Sequence, residues 1–300
     1  MNWEYICTIA SLTIVGLVMG SFAGAQVWRL RARQLAEDKA AGVKVRAAEL
    51  KRLKPLITPV RTDRSRCLDC GHALHLIDLV PLVSWLSTRG RCRYCQKPIG
   101  LLEPSIEFGM AAVFVTSFVF WPYALDTGGA WLLFVVWLMS MVVAGVLFVY
   151  DMKWFLLPDK INYVYIGLGV VFATGQLLIA GITLSAVVSL LGALCILSGL
   201  YALLYLYSRA QYGEERTWVG FGDVKLGLGL GLFALTWPVA FIALFAANLL
   251  GTLLVLPGLI KGKLHRQSHI PFGPLLLLGT VIAVLFGDWI IDTYISLFLF

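Results

Sequence analysis

The chain has 300 residues, of which 59% are hydrophobic and 14% charged, with a formal net charge of +7. So large an apolar share exceeds what a soluble core of this length needs, which excludes an ordinary soluble globular domain and predicts an all-α polytopic membrane protein. No recognition motif accompanies the basic surplus, so we expect no nucleic-acid partner and assign the charge to topology and to attraction by anionic membrane lipids.

Apolar runs long enough to cross about 30 Å of hydrocarbon fall at roughly 5–28, 105–124, 130–150, 161–180, 182–207, 224–237, 239–260 and 270–288, the sixth short and glycine-rich. They predict about eight transmembrane helices, with Trp289 to Phe300 either lengthening the last or lying in the interface. The division that follows is a first transmembrane helix (1–28), a polar insert (29–104) and a multi-helix bundle (105–300). The start Met1-Asn2-Trp3-Glu4 lacks a basic n-region and Arg29, Arg31 and Arg33 follow the first run, so we expect an uncleaved helix with its N-terminus outside. Segment 29–103 holds 16 of the 24 Lys and Arg but 7 of the 17 acids. The positive-inside rule therefore places it in the cytoplasm. Counting onward puts the turns with Lys153 and Lys160, with Arg209 to Lys225, and with Lys261 to Arg266 on the same face. Residues 33–54, rich in Ala, Leu, Glu, Lys and Arg, predict a helix on the membrane surface or against the insert.

Within the insert, Cys67-Leu68-Asp69-Cys70 and Cys92-Arg93-Tyr94-Cys95 form two C-x2-C hooks with 21 residues between them. Each hook brings two thiolates to one face of a tight turn, and two hooks complete a tetrahedron around Zn²⁺ with no position left for water. The predicted site is structural, with Cys67, Cys70, Cys92 and Cys95 as ligands. An insert this small has little core of its own, so metal binding is expected to supply much of its folding free energy. His72 and His75 flank the first hook and are expected outside the ligand set, while Cys7 and Cys195 lie in apolar runs as packing residues.

Two acids stand at the ends of apolar runs: Asp151 in Val149-Tyr150-Asp151-Met152-Lys153 and Asp223 in Gly220-Phe221-Gly222-Asp223-Val224-Lys225. An ionisable group at membrane depth costs roughly 3 kcal/mol on insertion scales, so each is a functional candidate. Asp159 follows Pro158 at a helix start, where negative charge complements the helix dipole, and needs no further role. Asp151 closes a helix at its unfavourable end, which makes it the better partner for Asp223. Gly220 and Gly222 let an extended peptide approach the backbone beside the acid. Gly227 and Gly231 fit a small-xxx-small packing face.

These motifs resemble the bacterial type IV prepilin leader peptidases, bifunctional GxGD aspartic proteases of peptidase family A24. The resemblance rests on Gly20-Ser21-Phe22 with Arg29-Leu30, Ser65-Arg66-Cys67, Val80-Pro81-Leu82-Val83-Ser84-Trp85-Leu86, Arg89-Gly90-Arg91-Cys92, Glu103-Pro104-Ser105-Ile106-Glu107-Phe108, the spacing from Asp151 to Pro158-Asp159, the glycines around Asp223, and Ile270-Pro271-Phe272-Gly273-Pro274. It implies that Asp151 and Asp223 are catalytic, that Gly220, Gly222, Pro271, Phe272 and Gly273 meet substrate, and that Gly20 serves a methyl-donor site for S-adenosylmethionine. It further implies a multi-pass protein of the bacterial inner membrane that cleaves prepilin or pseudopilin leaders at the cytoplasmic face and N-methylates the new terminus. The chain departs from the pattern in Gly24, where Asn is usual, and in Arg29-Leu30-Arg31, where Arg-Leu-Pro is usual. Both departures touch the region implied for methylation and neither touches the acids.

Two carboxyls sharing a site cannot both ionise easily, so the pair is expected to share a proton, one member activating water and the other polarising the scissile carbonyl. Two competing readings are a GxGD protease for other membrane-bound leaders and a transporter whose boundary carboxylates bind cations. The second predicts acids at the bilayer midplane, whereas these lie at the edge.

Overall fold

The computed structural model describes residues 3–57, 63–213, 217–262 and 271–298; Arg216, Lys263 to Arg266, Ile270, Leu299 and Phe300, all named in the sequence analysis or within its ranges, lie outside them. The described chain forms helices in two compact units, Met1–Phe118 and Val119–Phe300.

In the first unit, α1 runs without a break from Trp3 to Ala40. The membrane helix expected at 5–28 continues into the charged stretch because Arg, Gln, Leu, Ala, Glu and Lys are all good helix formers. It ends at Gly42, whose φ of +80° suits the left-handed stop that glycine adopts without strain. The single helix expected over 33–54 is thus divided. Its second half, α2 (Ala47–Leu53), buries Leu53 and the nearby Leu56 against Ala32 and Leu35 of α1. Arg31 fixes that return by donating to both Glu49 oxygens, at 2.8 and 3.2 Å. The insert continues through α3 (Val83–Ser87) to α4 (Leu102–Val119). α4 lies directly on α1: a Cβ at Gly16 would sit 2.6 Å from the Ala111 Cα, and one at Gly20 would sit 2.6 Å from the Glu107 Cα.

The second unit comprises α5 (Gly128–Trp154), α6 (Asp159–Ala180), α7 (Leu184–Leu194), α8 (Leu200–Tyr212), α9 (Phe221–Ala234), α10 (Trp237–Ile260) and α11 (Gly273–Phe298). A π turn, Cys195–Gly199, joins α7 to α8, so the two form one span. Among the described residues seven helices are long and apolar enough to cross a membrane, which makes this a multi-pass membrane protein. The sixth apolar run is α9, which at 14 residues is about 21 Å long and too short to cross alone. The tail beyond Trp289 extends α11, which resolves the choice left by the sequence.

α9 is enclosed rather than lipid-facing, and its glycines explain how. Gly227 abuts the backbone of the π turn at Leu197 and Ser198, and Gly231 meets Leu194 of α7. On another side Gly229 meets the ring of Tyr165 in α6. The missing side chains let two neighbouring helices approach α9 within backbone contact. Gly227→Ala should therefore destabilise the protein by about 1–3 kcal/mol through overpacking. Gly167→Ala, with nothing within 4 Å of the added Cβ, should be neutral; thermal unfolding of both variants in detergent checks the contrast.

Candidate active site and metal centre

Asp151 occupies the last turn of α5 and is buried, with 6% of its surface exposed. At that end the helix dipole gives a carboxylate no support. Support comes instead from Gly273 at the start of α11, whose backbone N–H is offered to the Asp151 carboxylate. The contact requires glycine, since a Cβ on residue 273 would sit 2.7 Å from Asp151 Oδ2. The helix itself closes at Phe155, which takes a left-handed φ of 54° and donates its N–H to the Asp151 carbonyl at 2.9 Å.

Asp223 sits three residues inside the N-terminus of α9, where its Oδ2 accepts the Gly220 N–H at 3.2 Å. It lies within electrostatic range of Asp151, so the two acids singled out from the sequence come into one neighbourhood, one at the end of α5 and the other at the start of α9. The structure also gives Asp223 a local capping role. Gly220 and Gly222 adopt negative φ, so neither needs glycine for backbone freedom. What they provide is room: a Cβ at Gly222 would lie 3.0 Å from the Leu157 Cβ, and one at Gly220 would lie 3.3 Å from Asp223 Oδ2. Phe272 packs on Tyr201 of α8, ring centroids 5.9 Å apart. Pro271 is half-buried beside it.

Three further side chains hold the start of α9. Asn162, fully buried in α6, donates its Nδ2 to the Gly222 carbonyl at 3.3 Å. Ser198 of the π turn donates to the Val224 carbonyl at 2.9 Å, so this irregular turn serves as a latch. Asp159, at the head of α6, pairs with Lys225 Nζ at 2.7 Å, and the ammonium also lies over the rings of Tyr163 and Phe221. None of Asn162, Ser198 or Tyr201 was singled out from the sequence. A lone amide near the start of an otherwise apolar helix was the one available signal, in Asn162.

In the first unit the four cysteine sulfurs lie within 4.8 Å of one another. Two equivalent turns position them. Cys67 N–H donates to the His72 carbonyl and Cys92 N–H to the Lys97 carbonyl, at 3.0 and 2.9 Å. Antiparallel bridges Arg66–Ala73 and Arg91–Pro98 close the two loops. Cys67 and Cys95 are 3.9 Å apart, close to the roughly 3.8 Å edge of a tetrahedron with Zn–S bonds of about 2.3 Å. Asp78 binds the second hook from outside, accepting from the Tyr94 hydroxyl at 2.8 Å and the His75 N–H at 3.1 Å and pairing with Arg93 at 3.1 Å. Desolvation opposes ionisation of Asp78, but these donors outweigh it and hold the carboxyl below its usual range. His72 stacks on Tyr94 at 3.7 Å and lies outside the sulfur cluster. Gly20 packs against Glu107 in this same unit, separate from the acid pair.

Residues 14–121 match the family model described as the bacterial peptidase A24 N-terminal domain, and residues 132–256 match that of the type IV leader peptidase family. Among curated relatives, a prepilin leader peptidase/N-methyltransferase of Aeromonas hydrophila is 33% identical over 237 residues, 79% of this chain and 76% of the relative. Relatives of the same description from Burkholderia pseudomallei and Pseudomonas aeruginosa are 29% and 28% identical, over 93% and 97% of this chain and 85% and 93% of their own lengths. No solved structure matches. Two adjoining family models on one chain, with relatives aligned across both, leave one conclusion: the chain belongs to the type IV leader peptidase family.

Proposed function

We propose that this protein is an aspartic endopeptidase that cleaves the leader of type IV prepilins and pseudopilins at the cytoplasmic face of the bacterial inner membrane, and that it N-methylates the new terminus. The observation that carries the reading is the meeting of Asp151 and Asp223, each supported by a glycine N–H, at one edge of the helical bundle. Two carboxyls that oppose one another's ionisation titrate as a pair, and the mechanism requires one of them protonated. The ionised member takes a proton from water as the water oxygen attacks the scissile carbonyl, and the protonated member donates to the carbonyl oxygen. Collapse of the tetrahedral intermediate breaks the C–N bond, and the proton first taken from water passes to the leaving amine. Gly273 and Gly222 let the chain close tightly around the acids, and an unwound substrate segment is bound beside them.

S-adenosylmethionine, when bound, would supply the methyl group for the freed amine. Zinc fits the four thiols and serves to hold the insert, since four protein ligands leave no position for water.

Asp151→Asn and Asp223→Asn should each lower cleavage by about three orders of magnitude or more, the scale of lost acid-base catalysis. Asp159→Asn should keep most activity, because its carboxylate is 58% exposed and its pair with Lys225 contributes about 1 kcal/mol or less. Product mass after incubation with a prepilin reads all three; full cleavage by either of the first two variants overturns the assignment. Metal analysis should find about one zinc per chain, lost in Cys92→Ser together with thermal stability of the N-terminal unit. Asp223→Asn should still methylate a pre-cut pilin with a free terminal amine, and a uniform fall of both activities across variants would argue for one shared site.

A further inference from the structure

α10 presents two unlike faces. On one side Ala240, Ala243 and Ala247 are fully buried, and Gly279 of α11 packs against the backbone of Ala243 and Ala247. On the other side Phe241, Phe245, Asn248 and Thr252 are all exposed. Exposed phenylalanines on a membrane helix are covered by lipid and call for no partner. Asn248 is different. It lies at the middle of the span from Trp237 to Ile260, which puts its amide at the centre of the hydrocarbon. Among the described residues no other Asn or Gln is exposed at the middle of a span.

Asn248 donates from Nδ2 to the Leu244 carbonyl of its own helix at 2.8 Å, while its Oδ1 accepts from no described residue. Water would satisfy that oxygen at a protein surface, but lipid tails cannot, and a polar group left unpaired there drives helices together. Thr252 shows the contrast, since its one hydroxyl proton goes to the Asn248 carbonyl at 2.8 Å. The partner must carry an N–H donor at the same depth. A carboxamide has both donor and acceptor, so two of them can pair reciprocally. Every copy of the chain inserts with the same orientation, and a two-fold axis along the membrane normal brings the same residue of each to the same depth. The exposed stripe also has the right period. Phe241, Phe245, Asn248 and Thr252 follow at intervals of four, three and four residues, the repeat of two helices crossing at about +20°. A single Asn within such a seam fixes its register.

We propose that this face of α10 is the interface of a homodimer, in which the Asn248 side chains of two copies exchange hydrogen bonds at the centre of the bilayer and Phe241, Phe245 and Thr252 pack around them. α10 contributes none of the residues that support the acid pair, so the surface is independent of both reactions.

The test is the dimer dissociation constant of the full-length, zinc-loaded protein in liposomes of phosphatidylethanolamine and phosphatidylglycerol, read by single-molecule photobleaching over a range of protein-to-lipid ratios with no substrate added. The wild type should pass from monomer to dimer as its density rises. Asn248→Leu should weaken association about tenfold, the scale of a lost interhelical hydrogen-bonded pair, with its thermal unfolding unchanged. Asn248→Gln keeps the carboxamide and should retain most of the affinity. A photocrosslinking probe maps the surface in the otherwise unaltered chain: p-benzoylphenylalanine in place of Phe245 should bond to α10 of a second copy, whereas in place of Leu254, exposed on the other side of the same helix, it should not. The interface is overturned if the wild type stays monomeric at every density, if Asn248→Leu associates as tightly as the wild type, or if the probe at Phe245 bonds only to lipid or within its own chain.

Discussion

A carboxylate at the end of an apolar helix must find donors where little water is available, and here the donors are backbone N–H groups. Asp223 takes one from Gly220 and Asp151 one from Gly273. Backbone donors can reach a buried acid only if the chain itself comes into contact with it, and that contact leaves no room for a Cβ at residue 273. Much of the second unit follows from this constraint. α9 is short because it begins where Asp223 must meet Asp151. It is glycine-rich because a short helix among longer ones is held by close backbone approach rather than by large side chains. The π turn and Asn162 supply a hydroxyl and an amide to carbonyls of the first turn of α9, which fixes the second acid relative to α6 and α8.

The fold was largely legible because membrane helices announce themselves by length and apolarity alone. The limits appear where two elements share one composition. Nothing in the charged stretch 33–54 separates an α1 extension from a second helix except Gly42, and a single glycine is weak punctuation. The length of α9 was readable as a short run, but not that it would be enclosed, because enclosure depends on Tyr165, Leu194 and Leu197 arriving from helices distant in sequence.

For the site, the acids and cysteines were legible for different reasons. The cysteines carry their geometry in their spacing. Asp151 stood out because it opposes the dipole of its own helix, and Asp223 because of its boundary position. Asp223 turned out also to cap α9, so half the evidence for it was ordinary helix chemistry. The argument that an acid at membrane depth requires explanation applied equally to Glu107, which is buried in α4 with its Oε2 bound to the Leu82 N–H, yet the sequence reading treated it only as part of a motif. Asn162 and Ser198 act through backbone carbonyls some 60 and 26 residues away along the chain, and no local pattern encodes such a contact.

The division of the chain into two units bears on the order of the chemistry. A methyl group can be transferred only to a free amine, and the amine that the second reaction needs does not exist until the peptide bond is hydrolysed. The acid pair and its supports all lie between residues 151 and 273, whereas the cysteine cluster and the α1–α4 contact are built wholly from residues 16 to 111. Each site is assembled by its own packing: glycine contacts around α9 in one case, and the α1–α4 contact with the cysteine turns in the other. Separate construction lets each set of residues meet its own electrostatic demand: buried carboxylates given backbone N–H donors in one unit, and four thiols gathered where a metal can neutralise them in the other.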